Sequence, residues 1–64
     1  MGLSYRAALQ MRNDLARQLG EELKLILARL RALAQAERAA RGPDAEALDI
    51  AIVNLDSAIE ILTE

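Results

Sequence analysis

The chain has 64 residues, enough for one small domain whose core is usually marginal without a disulfide, a metal or a partner. It contains neither cysteine nor histidine, which excludes disulfides and the usual zinc sites and removes the commonest catalytic base. One tyrosine is the sole aromatic residue and the net charge is −2, a composition that argues against a nucleic-acid-binding surface. We therefore expect no enzyme, no catalytic residue, no cofactor and no metal.

Membrane and export signals are also missing from the sequence. No apolar run approaches the roughly 18 residues that a membrane-spanning helix needs. The first ten residues lack the basic region and the long apolar region of a signal peptide. We expect a cytoplasmic protein, or one made only recombinantly, with no membrane, nucleic-acid or small-molecule partner.

The first predicted element is a long helix over about residues 3–41. This segment is rich in alanine, leucine and arginine, which favour helix, and it contains no proline. Gly20 weakens it by about 1 kcal/mol relative to alanine, and Asn13-Asp14 could cap a helix that starts there. The sequence does not decide whether the helix is continuous. A compact three-helix monomer is the alternative, although one glycine is too short a connection to reverse a helix.

A turn over residues 42–44 follows, within the stretch "RGPDAE". Gly42 suits the left-handed position after a helix, and Pro43 prevents the helix from continuing. Asp44 can cap the next helix, which we predict over about residues 45–63. So short a turn makes the two helices antiparallel neighbours.

The second helix is too apolar to pack against the first helix alone. At about 100° per residue, one stripe should face the first helix; it contains Leu48, Ile52, Leu55, Ile59 and Leu62. A second row at helical spacing contains Ile50, Asn54, Ser57 and Ile61. We expect the second row to contact another chain. Its two polar residues either face solvent or make a polar contact that fixes register, as a buried asparagine does in coiled coils.

The two predicted helices differ in length and in charge. Residues 1–41 carry all eight basic residues and four acids, whereas residues 42–64 carry six acids and no base. The first helix is about twice as long as the second, so its residues before Gly20 lack a partner within the chain. Arg12 and Glu37 interrupt its apolar stripe and could pair across an antiparallel interface.

These patterns predict an all-α fold, a single domain over residues 1–64. It is an antiparallel helical hairpin with a long first helix that assembles into an oligomeric helical bundle. The expected partner is a second copy of the chain or another helical protein. The predicted interface residues are Leu9, Leu15, Leu19, Ile50, Asn54, Ser57 and Ile61.

The stretch "LDSAIEIL", residues 55–62, follows the Arg41-Gly42 turn and resembles the last helix of a known family. That family is the small E-component co-chaperones of type III secretion needle subunits, which are short helical hairpins. The resemblance implies that the chain binds a second chaperone and keeps a needle subunit unpolymerised in the cytoplasm. The short turn and the second row would equally suit a designed helical-hairpin oligomer.

Overall fold

Two helices and a turn form the fold of residues 4–64, the part of the chain that the computed structural model describes. Helix α1 is Tyr5–Ala39 and helix α2 is Ala45–Thr63, and the two pack against each other with no strand in the described residues. The all-α class is therefore confirmed. Because α1 runs unbroken through Asn13-Asp14 and Gly20, the three-helix alternative is wrong.

Ser4 caps the N-terminus of α1. Its side-chain Oγ accepts a hydrogen bond from the Ala7 N–H at 3.1 Å, which satisfies one of the amide groups that lack a partner in the first turn. We did not predict this cap, although a serine before a run of helix formers is a recognisable signal. The predicted start near residue 3 lies outside the described residues.

The end of α1 is a Schellman motif with an unexpected residue in its left-handed position. Arg41, with φ of 56°, takes this position, so the prediction of Gly42 is wrong. The Gly42 N–H donates to the Glu37 carbonyl at 2.8 Å, and the Arg41 N–H donates to the Arg38 carbonyl at 3.0 Å. These two bonds satisfy carbonyls that the helix end would otherwise leave unpaired.

Asp44 stands at the N-cap of α2 but does not cap it with its side chain. Its backbone carbonyl accepts the first helical hydrogen bond, from the Leu48 N–H at 2.9 Å. The predicted side-chain cap is therefore wrong. Asp44 and Glu46 still place negative charge at the positive end of the α2 dipole, which favours the helix modestly.

The core between the helices is narrow. The buried apolar residues of the described chain are Ala16, Leu27, Ala34 and Ile59. The stripe predicted to face α1 is buried or half-buried at each position: Leu48, Ile52, Leu55, Ile59 and Leu62. Alanine and leucine side chains of α1 therefore form one line of contact with α2.

The molecule is elongated because the helices differ in length. Its principal extents are 56 × 20 × 15 Å and its radius of gyration is 16.4 Å. A compact domain of 64 residues would have a radius of gyration of about 11 Å. One end of α1 therefore projects beyond α2.

Candidate interaction surface

Two contacts fix the register of the hairpin. Near the turn, the Arg38 guanidinium binds the Asp49 carboxylate. At the other end, Gly20 lies against Leu62 and Thr63. Helix α2 therefore ends beside the middle of α1, and Tyr5–Leu15 extends past it.

One side of the hairpin is charged. Since the helices are antiparallel, positions rotated the same way from the contact line lie on the same side of both helices. This charged face comprises Arg17, Lys24, Arg31, Arg38, Asp49, Asp56 and Glu60. Within residues 4–64, its one ion pair between helices is Arg38–Asp49, and the other pairs lie within α1. All are exposed, so each stabilises the fold by less than about 1 kcal/mol.

The opposite side of the hairpin is apolar. We call it the apolar face; from α1 it comprises Met11, Leu15, Leu19, Ile26 and Leu33, and from α2 it comprises Ala51, Asn54, Ala58 and Ile61. All five α1 side chains are about half exposed. Ile26 and Leu33 lie about a quarter turn from the line of α1 that faces α2, so α2 covers them only in part. The apolar face is too broad for one helix to cover.

The seven predicted interface residues are all exposed. The register brings Leu15, Leu19 and Ile61 to the same end of the apolar face. A shallow groove lies at this end, where α1 passes the end of α2. It is lined by Ala8, Met11, Leu15, Leu19 and Leu62.

Three of the predicted interface residues lie elsewhere. Leu9 continues the line of α1 that faces α2, but beyond the end of α2, and it is exposed. Ile50 and Ser57 point almost directly away from α1. Within residues 4–64, neither Asn54 nor Ser57 makes a side-chain hydrogen bond, so their predicted polar contact has no partner in the hairpin.

Three large members of the apolar face are not among the predicted interface residues: Met11, Ile26 and Leu33. Their signal was present in the sequence, because they continue the three- and four-residue spacing of Leu15 and Leu19. Helical periodicity alone does not show which of two adjacent lines of α1 faces α2, since both lines are apolar.

No protein-family model matches this chain, and no curated protein or solved structure shows significant similarity to it. The resemblance to the secretion co-chaperones therefore remains a prediction from "LDSAIEIL".

Among residues 4–64, no three acidic side chains come close enough together to hold a metal ion. Neither helix of this part of the chain is long and apolar enough to cross a membrane. The geometry presents a long apolar surface on the side of the hairpin opposite the charged face, an arrangement suited to helix–helix contact.

Proposed function

We propose that this protein is a non-enzymatic helix-mediated assembly module. Copies of the hairpin associate through their apolar faces into a homo-oligomeric helical bundle. A two-fold symmetric contact is the simplest form, because one self-complementary surface then serves both copies.

The excess of exposed surface is the observation that supports this proposal. The chain exposes 5266 Å², whereas a compact monomer of 7.0 kDa exposes about 4,000 Å². The excess, about 1,200 Å², is larger than the roughly 800 Å² that each partner buries in a standard interface. The chain therefore has enough surplus surface for a standard interface with a second copy.

The side chains involved are the right kind for such a contact. Large aliphatic residues on the apolar face are about half exposed or more, among them Leu33 at 54% and Ile61 at 66%. At about 25 cal/mol per Å², their burial supplies several kcal/mol, which so narrow a core needs.

Replacing Ile61 with lysine tests the proposal. We expect Ile61→Lys to raise the dissociation constant of the oligomer at least about tenfold, because a charge would enter the interface, while the hairpin stays helical. Sedimentation velocity and light scattering report the mass, and circular dichroism reports the helix content.

Val53→Lys is the matched control. Val53 is as exposed as Ile61, at 63%, but lies beside the acidic residues of α2. We expect this variant to assemble like the parent. A parent chain that is monomeric and fully folded at high micromolar concentration would refute self-assembly.

A hetero-partner role of the co-chaperone type is the second candidate. It is supported by the same exposed apolar face, which another helical protein could cover equally well. A chain that remains a poorly folded monomer, and becomes helical only with a purified helical partner, would favour this role over self-assembly.

A further inference from the structure

Two charges interrupt the apolar line along α1. Glu22 and Arg29 occupy positions of this line at the same helical spacing as its aliphatic members, Met11, Leu15, Leu19, Ile26 and Leu33. Both charges are exposed, and neither forms an ion pair within residues 4–64. They lie about 10 Å apart along the helix, too far to bind each other. Their partners must come from outside the hairpin or be water.

The positions of Glu22 and Arg29 bring opposite charges together only when the α1 helices of two copies are antiparallel. If two α1 helices lie antiparallel, Glu22 of each copy meets Arg29 of the other about an axis between Leu25 and Ile26. If they lie parallel, like charges meet at both positions, which is unfavourable. The charges therefore distinguish the two orientations.

A second pair of opposite charges has nearly the same midpoint. Arg12 and Glu37 border the apolar line near its two ends, and their midpoint lies between Lys24 and Leu25. Two oppositely charged pairs thus share a centre within one residue, so an antiparallel pairing of α1 would satisfy both.

We propose that two copies of this chain form a dimer with their α1 helices antiparallel, in a register set by Glu22 and Arg29. This inference rests on the self-assembly proposed above and specifies its geometry. About residues 10–15 of the α1 extension of one copy then lie beside the last turn of α1 of the other, about residues 36–41, and the earlier residues extend past its turn. The aliphatic side chains along the α1 part of the apolar face are covered by an identical molecule, with two intermolecular ion pairs flanking the two-fold axis.

Disulfide trapping tests the orientation, since the chain has no cysteine of its own. In the proposed dimer, the two copies of Ile26→Cys lie beside the axis and should cross-link on mild oxidation. Two copies of Leu19→Cys would lie about 20 Å apart and should not cross-link. Sedimentation of the reduced Ile26→Cys and Leu19→Cys variants shows that each still assembles.

The possible outcomes separate the two proposals. Cross-linking at both positions indicates parallel α1 helices. Dimers that cross-link at neither position associate through another face. Either result overturns the antiparallel arrangement but leaves self-assembly standing. A monomeric parent chain overturns both proposals.

Charge exchange tests the register. Glu22→Arg alone and Arg29→Glu alone should each raise the dissociation constant about tenfold or more, because two attractive contacts become repulsive. The double exchange should return it to within about threefold of the parent. Glu21→Arg is the control on the side of α1 away from the apolar face, and it should have little effect. Failure of the double exchange to restore affinity would overturn the assigned pairing.

Discussion

Arg41 holds a backbone conformation that most side chains disfavour. A left-handed conformation costs a non-glycine residue about 1–2 kcal/mol, yet Arg41 adopts φ of 56° to close the Schellman motif. Its side chain makes no hydrogen bond or ion pair within residues 4–64 that would offset this cost. Gly42, the neighbour that could adopt it freely, has negative φ instead.

We therefore expect Arg41→Gly to stabilise the protein by about 0.5–1 kcal/mol. The relief of the left-handed conformation outweighs the greater freedom that glycine gives the unfolded chain. Urea unfolding, monitored by circular dichroism at fixed protein concentration, measures the change.

The control places glycine in an ordinary helical position. Arg31→Gly, in the interior of α1, should destabilise the protein by about 1 kcal/mol. Equal losses in the two variants would mean that Arg41 does not occupy the left-handed position in solution.

At the scale of the helices, Gly20 sets how closely the end of α2 approaches α1. A Cβ atom at this position would lie 2.5 Å from Thr63 Cγ2, and so something would have to shift. Thr63 is held by its hydroxyl, which donates to the Ile59 carbonyl at 2.8 Å and closes the last turn of α2. The glycine thus weakens α1 locally but lets the two helices meet.

A double-mutant cycle separates these two effects. Gly20→Ala gains about 1 kcal/mol in helix propensity but must displace the Thr63 methyl group, so we expect a net change below about 0.5 kcal/mol. Thr63→Ser keeps the hydroxyl and removes the methyl group. In that background Gly20→Ala should stabilise the protein by nearly the full 1 kcal/mol or so. Urea unfolding of the four proteins gives the coupling, and strict additivity would contradict the close contact.

At the scale of the whole molecule, the hairpin alone buries little. We expect its stability to depend on assembly, so that the thermal midpoint rises with protein concentration. For a dimer of chains this long, each tenfold increase should raise the midpoint by roughly 5 °C.

Calorimetry or circular dichroism across about a hundredfold range of concentration checks this. Ile61→Lys serves as its control, because a dissociated variant should melt at a lower temperature that concentration does not change. A midpoint of the parent chain that stays constant over the same range would show that folding and assembly are independent.

Much of this architecture followed from sequence periodicity. The single proline and the acidic residues after it placed α2, and the spacing of Leu48, Ile52 and Leu55 identified its inner stripe. These predictions succeeded because helical period and turn chemistry are local properties. The antiparallel pairing of the two helices could be predicted from the short turn alone.

Other features depended on contacts that a single sequence does not encode locally. Gly42 was the better candidate for the left-handed position, but the ladder of hydrogen bonds ends one residue earlier and places Arg41 there. Ile26 and Leu33 lie only about a quarter turn from the core line of α1. Which of two adjacent apolar lines faces α2 depends on the rotation of one helix against the other.

The charged face bears on how many copies of the hairpin can join one complex. A helix pair that were adhesive on both sides could add copies without end and grow into a fibre. Here the basic and acidic side chains opposite the apolar face keep that side hydrated, and the exposed aliphatic side chains nearest to it, Val53 and Ile50, lie beside Glu46 and Asp49. If copies associate through the apolar face as proposed, the hydrated charged face disfavours further addition, and we expect a small, closed complex rather than a fibre.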